Sequence, residues 1–460
     1  MKSENMLPEI ISLAWPTMLE QLMQTAVQYI DTAMVGSLGT RATAAVGATS
    51  TVNWLIGSTI SALGVGFLAY IAQSVGAGET QKARKASGQA VTMVLLVGLL
   101  FTALTMALSS KIPVWMQTEA DIQDMAAGYF RILYMPRLFR TANIIFGTLL
   151  RAVGDTRSPM RVGVIVNLIN IVLNFFLIYP ARVTVIGSAA FTLPGAGMGI
   201  EGAAAASAAA YTFGGIAITV RLWRHGKISP RGQSLRPDPS VLAPCLRVAL
   251  PNMLQRFATS LGYVAFAAMI NALGETAAAA HTIANTVESA FYIPGWGMQT
   301  AAATLSGNAW GARDKERLRG LAQTIFPLEA GMMALSGGLL FAFAPKLLLI
   351  FSTDSEVIRL GTTVLRMVAV SEPFYGVPIV IEGILQGMGK TVAPFVYNVL
   401  GMWCVRIAGT FVCTRLLGYG LVAAWGCMIG HNLLLFVLFT LHYLCRTWKI
   451  FRASDVRQNT

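Results

Sequence analysis

Twelve long apolar stretches dominate the chain, at residues 8–36, 45–74, 88–110, 123–150, 160–181, 199–222, 246–272, 279–308, 321–351, 359–387, 394–416 and 420–445. Each can cross a bilayer, which takes about 20 mostly apolar residues in helical form. Backbone in hydrocarbon must satisfy its own hydrogen bonds, so only helices or a closed barrel qualify. The ten-residue alternation of barrel strands is missing, and small-residue runs such as Ala203–Ala210 and Ala277–Ala280 suit closely packed helices. Of the 460 residues 55% are hydrophobic and 12% charged, too few charges to keep a soluble surface wet. The expected fold class is an all-α integral membrane protein with twelve transmembrane helices.

The net charge of +13 would suggest nucleic acid in a soluble chain. Here Lys and Arg alternate between loops. One set of loops holds Lys82, Arg84 and Lys85; Arg151, Arg157 and Arg161; Arg221, Arg224, Lys227, Arg231 and Arg236; Arg313, Lys315, Arg317 and Arg319; and the tail from Arg446. The other set holds only Arg41, Lys111, Arg182, Lys346, Arg359 and Arg415. The positive-inside rule makes the first set cytoplasmic and puts both termini inside, as expected of a multi-pass protein of the plasma (inner) membrane. The charge then reports topology, and no nucleic-acid partner is expected. The five cysteines form no C-x-x-C, so neither a disulfide framework nor a zinc site is indicated. The polar start Met1–Asn5 runs into an apolar stretch too long for the core of a cleavable signal.

The halves align at a constant offset of 235. Over 16–52 against 251–287 there are 12 identities in 37 positions. The same offset carries Gly76-Ala77 onto Gly311-Ala312, Arg131 onto Arg366, and Leu150…Gly154-x-Thr156…Pro159 onto Leu385…Gly389-x-Thr391…Pro394. The expected organisation is an N-lobe (1–222), a cytoplasmic linker (223–245), a C-lobe (246–446) and a cytoplasmic tail (447–460). Six spans per repeat is an even number, so the two six-helix lobes are related by a pseudo-two-fold axis along the membrane normal, an arrangement of secondary transporters. The phosphate-binding G-x-x-x-x-G-K-[ST] and the metalloprotease H-E-x-x-H are absent from the sequence, so a gradient-driven transporter, not an enzyme, is expected, with no cofactor or metal.

Within the first span, Thr17, Glu20, Gln24, Gln28 and Asp31 fall within an arc of about 80°. A polar stripe on a spanning helix faces water or protein, and an ionised Asp deep in the bilayer normally faces a cavity or a partner. Asp31 can exchange a proton there, or act as a hard oxygen ligand for Na⁺; a structural carboxyl is the alternative. At the repeat offset Asp31 meets Phe266, Glu20 meets Gln255, Gln24 meets Thr259 and Gln28 meets Tyr263. The coupling group is therefore expected in the N-lobe and a more apolar substrate wall, with Tyr263, Phe266 and Tyr375, in the C-lobe. Asn170 and Asn174 lie one helical turn apart on the fifth span and suit either an oxygen cage with Asp31 or helix packing. Glu288, Glu329 and Glu382 also lie within spans, where each can bind cation or substrate, or pair with Arg256, Arg366 or Arg406. Pro16 and Pro251, at matched positions, are candidate hinges.

These residues resemble the MATE (multidrug and toxic compound extrusion) family. The resemblance is carried by Pro16, Asp31-Thr-Ala-Met-Val-Gly36-Ser-Leu-Gly39, Ala45-Val-Gly47, Ala72-Gln-Ser-Val-Gly76-Ala-Gly, Gly147…Leu150-Arg-Ala-Val-Gly154-Asp-Thr156, Asn170-Ile-Val-Leu-Asn174, Ala280-His-Thr-Ile-Ala284 and Gly311-Ala, over about residues 8–446. It implies two V-shaped lobes and export of small organic, often cationic, compounds in exchange for H⁺ or Na⁺. It also implies an N-lobe cation site at Asp31 with Asn170 and Asn174. Some members carry Asp where Asn174 stands, and others carry acids near Thr259 and Tyr375. The substrate cavity is then expected to draw on Glu20, Gln24, Gln28, Tyr263, Phe266, Glu288, Tyr375 and Glu382, in a monomer surrounded by membrane lipid. A lipid-linked oligosaccharide flippase of the same superfamily is the alternative reading, with Arg137, Arg140, Arg256 and Arg406 as its cavity cations.

Overall fold

The computed structural model describes residues 6–116, 118–186 and 189–447, without the side chains at 48, 51, 182–193 and 446–447. The expected tail therefore lies, beyond its first residue, outside the described residues. The chain is mostly helical. Its helices are α1 (Met6–Gly36), α2 (Thr40–Gly76), α3 (Thr80–Leu108), the short α4 (Ile112–Trp115), α5 (Gln123–Tyr134), α6 (Arg137–Ala152), α7 (Arg157–Leu177), α8 (Gly199–Trp223), α9 (Pro239–Asn271), α10 (Glu275–Phe291), α11 (Ile293–Gly311), α12 (Lys315–Leu349), α13 (Ser355–Gly387), α14 (Val392–Leu400), α15 (Ala408–Phe411) and α16 (Leu421–His442).

Nine of the described helical segments are long and apolar enough to cross a membrane. The other expected spans are α1 and two that break. One interrupts at Met135-Pro136, between α5 and α6, and the other at Tyr292, just before Pro294, between α10 and α11. Proline lacks the N–H that a continuing helix would use, so it suits a break, although other prolines are carried inside unbroken helices. Pro16 and Pro251 sit inside α1 and α9, both continuous. Wide-turn π segments at Gly401–Ile407 and Val412–Leu416 flank α15.

One element differs from the sequence expectation. The stretch after α7, read as the end of a span and a loop, forms an antiparallel hairpin of β1 (Pro180–Ile186) and β2 (Ala189–Ala196). Pro180 ends the helical path, and the β-branched Val183-Thr184-Val185-Ile186 favours extended backbone.

Contacts divide the chain into two compact units. The first contains Met1–Met18, Leu68–Glu79 and Pro244–Thr460; the second contains Leu19–Phe67 and Thr80–Ala243. Two stretches of the first repeat, Met1–Met18 and Leu68–Glu79, thus group with the second repeat.

Within the first unit, the ends of α2 and α11 meet through matched residues. A Cβ added at Gly76 would lie 2.0 Å from the Asn308 carbonyl oxygen, and one at Gly311 would lie 1.9 Å from that of Gln73. Gln73 and Asn308, like Gly76 and Gly311, are 235 residues apart. Ala72 meets its own equivalent, since a Cβ at Gly307 would sit 2.7 Å from the Ala72 methyl. The contact is reciprocal, as at a two-fold interface, and glycine is what lets the backbones approach.

In the second unit the linker is fastened to α3. The Gln89 amide donates to the Ser234 and Arg236 carbonyls at 3.2 and 2.9 Å and accepts from the Asp238 N–H at 2.8 Å. Thr92 Oγ1 donates to the Leu235 carbonyl at 2.7 Å, and Lys85 pairs with Asp238. The Lys85 ammonium, with Ser240 donors, holds the Asp238 carboxyl down at about 2.

Candidate functional site

In the second unit, α1, α7 and α8 bring one polar cluster together. Asn174 Nδ2 donates to Asp31 Oδ1 at 2.6 Å. With its amide turned to satisfy the Ser207 hydroxyl at 3.0 Å, Asn170 places its nitrogen 2.9 Å from the same carboxylate oxygen. Asn170 is 5% exposed and Asn174 1%, so donors that would otherwise be orphaned in apolar surroundings converge on the one acid. The spacing of Asn170 and Asn174 by one turn on α7 creates this face. No Lys or Arg forms an ion pair with Asp31 among the described residues. Tyr129 lies within electrostatic reach of both Asp31 and Arg140.

The rest of the α1 stripe does not join that cluster. Glu20 Oε2 pairs with Arg151 Nη2 at 2.6 Å, where it also faces Gly163. Gln24 and Gln28 are exposed, without side-chain hydrogen bonds to the described residues.

In the first unit the sequence-selected residues fall into two groups. Glu382 accepts from Gln255 at 2.9 Å, Gln386 at 3.0 Å and Asn398 at 3.3 Å. The repeat offset carries Glu20 onto Gln255, Arg151 onto Gln386 and Gly163 onto Asn398. A carboxylate thus sits among the matching three helices in each half, but on the first helix in one and on the fourth, at Glu382, in the other. In the second group Tyr292 donates to Glu288, and the rings of Tyr292 and Tyr375 are 5.1 Å apart.

Phe266, expected on a substrate wall, packs among buried rings. It is 1% exposed, with the Arg406 guanidinium 4.4 Å from its ring centroid and His281 edge-on at 5.5 Å. Arg406 also lies 4.9 Å from the Tyr263 ring centroid. The alternative in which the membrane acids pair with Arg256, Arg366 or Arg406 is not seen as ion pairs among the described residues. Arg366 instead stacks on Phe341 at 5.2 Å, and Arg256 acts on Glu382 only through space.

Two participants escaped the sequence reading. Ser207 is the single hydroxyl in an alanine run, and that interruption was its signal. Glu372, 1% exposed beside Pro373, was readable as an acid within a span.

Comparisons with known proteins identify the family. The MatE family model matches residues 16–176 and again 251–412, two stretches that begin at the repeat offset of 235. The chain belongs to the MatE family. It is 27% identical over 441 residues to a probable multidrug resistance protein NorM of Thermotoga maritima, covering 96% of this chain and 93% of that protein. It is 24% identical over 421 residues to the multidrug resistance protein MdtK of Proteus mirabilis, covering 88% and 87%. Its fold matches an outward-facing multidrug resistance MATE transporter of the MOP superfamily at a TM-score of 0.87 and 22% identity, covering 98% of this chain and 96% of that one. A MATE structure in complex with MaL6 matches at 0.86, also at 22% identity, covering 98% and 97%. The protein is thus a multi-pass membrane transporter of the multidrug efflux class.

Proposed function

We propose that this chain is a cation-coupled antiporter that exports small organic, often cationic, compounds by alternating access, with Asp31 as the coupling group. The carrying observation is the Asp31 carboxylate held by Asn174 at 2.6 Å without an ion-pair partner among the described residues. A carboxylate so placed carries a charge that the membrane interior disfavours unless a cation joins it. The proton suits the site better than Na⁺, because the facing amides present nitrogen and Na⁺ would require them to turn their oxygens inward. Asn174 Oδ1 is buried and has no hydrogen-bond partner among the described residues.

In this reading the ion enters from outside and neutralises Asp31. The pull on Asn174 weakens, α1 shifts against α7, substrate leaves outward, and the lobes rock inward to release the ion. The reading includes twelve spans in two six-helix lobes about an axis along the membrane normal. The reciprocal meeting of α2 and α11 supports that axis. It also includes cytoplasmic termini, supported by the Lys and Arg asymmetry, and a working monomer.

The test is efflux of a fluorescent organic cation from proteoliposomes under an imposed pH gradient, then a Na⁺ gradient, for wild type and Asp31→Asn. Gradient-driven efflux in wild type that Asp31→Asn loses while still binding substrate is expected. Equal gradient-driven efflux in both would move coupling away from Asp31.

A further inference from the structure

Positions 137 and 372 are the same place in the two repeats, 235 residues apart, and each holds a buried charged group. Arg137 is 1% exposed, and its Nε, Nη1 and Nη2 all lack a hydrogen-bond partner among the described residues. Glu372 is 1% exposed, and both its carboxylate oxygens are likewise unpartnered. The two are not equivalent chemically. A carboxyl can shed its charge by taking a proton, whereas a guanidinium keeps its charge. A buried charge that stays needs a counter-charge.

The surroundings of Arg137 supply none. Its guanidinium lies 4.9 Å from the Tyr134 ring centroid, and the charged group that bears on it most is another cation, Arg140. Arg140 Nη1 donates to Asn53 Oδ1 at 2.9 Å, an oxygen that the Tyr134 hydroxyl also binds at 2.9 Å. Arg140 stacks on Tyr211 at 4.4 Å. No carboxylate is among the groups bearing on Arg137. Asp31 bears on Tyr129 and is already engaged by Asn174.

We propose that the second unit binds a small monovalent anion at Arg137, with Arg140 as the second cation. The chemistry is that of a halide ion or the carboxylate of an organic substrate. Arg140 is already engaged by Asn53 and Tyr211, so the unpartnered guanidinium of Arg137 leaves one positive charge to neutralise, which sets the valence at one. The planar fork of unpartnered N–H donors on Arg137 matches a carboxylate edge or cradles a halide. This inference is independent of the coupling role of Asp31.

The experiment uses the purified full chain in detergent at pH 7 and constant ionic strength, with a bulky sulfonate buffer as background anion. Radiolabelled chloride and radiolabelled acetate are titrated separately. Saturable binding of one of them at about one per chain is expected in wild type. Arg137→Met should bind it at least ten-fold more weakly, and Arg137→Lys, which keeps the charge but not the fork, should fall between. Saturation by chloride alone assigns a free halide; saturation by acetate assigns a carboxylate. Should Arg137→Met not fold, the comparison of Arg137→Lys with wild type carries the test. The proposal is overturned if neither probe saturates in wild type, or if the folded variants bind as tightly as wild type.

Discussion

Replacing Glu20 and Arg151 by glutamine, singly and together, tests how the first repeat holds its own carboxylate. The pair meets at 2.6 Å with side chains 21% and 18% exposed, so it is mostly but not wholly withdrawn from water. Removing one partner of a fully buried pair costs about 3–5 kcal/mol, because the other charge stays behind uncompensated. Partial exposure lets water screen that charge, which brings each single variant to about 2 kcal/mol. The double variant leaves no stranded charge, and the second repeat already lives with Gln255 and Gln386 at these two places. It should therefore lose no more than one single variant does, about 2 kcal/mol at most, giving a coupling of at least about 2 kcal/mol, roughly 30-fold in the folding equilibrium. The assay is reversible unfolding of the four proteins in mixed micelles titrated with SDS. Single losses that simply add in the double variant, to within about 0.5 kcal/mol, would refute the pairing argument.

Other outcomes follow from different parts of the fold. Gly76→Ala or Gly311→Ala should lower thermal stability measurably, each by a similar amount, because each forces the same backbone contact apart; Gly78→Ala, whose Cβ meets nothing within 4 Å, tests instead only the strain of its φ of +75°. Gln89→Ala should release residues 234–238 from α3, read as faster amide hydrogen exchange there with little change in α3 itself. The carboxyl of Asp238 is depressed to about 2, below its ordinary value of 3.8. The contribution of its pairing with Lys85 is thus nearly complete above about pH 5 and is lost as pH falls from there through about 2. Linker exchange protection, corrected for intrinsic rate, should be unchanged between pH 8 and pH 5, and a loss inside that window would contradict the assignment. At the loop before α7, burial of Asp155 works against its charge, but hydrogen bonds from Ser158 and Arg221 outweigh it and leave the carboxyl below its usual range. Arg221→Ala should therefore raise the proton affinity of Asp155, observable by carboxyl titration in the NMR spectrum of selectively labelled protein.

Apolar length, alternating loop charge and the 235-residue offset made the helical membrane class and the duplication legible in sequence, because each is a one-dimensional property. Asp31 with Asn170 and Asn174 was legible too, since a lone acid in a span and an amide pair one turn apart are both conspicuous against apolar neighbours. Tertiary structure decided the rest. Only packing could divide the stripe on α1, sending Asp31 to α7 and Glu20 to Arg151, because helical periodicity gives a face but not what lies opposite it. Only packing could bury Phe266 beneath Arg406, strand Arg137 without a counter-charge, and show Glu382 taking over the place that Glu20 holds in the first repeat. Sequence sets which groups are costly to bury; the fold alone sets which neighbours relieve that cost.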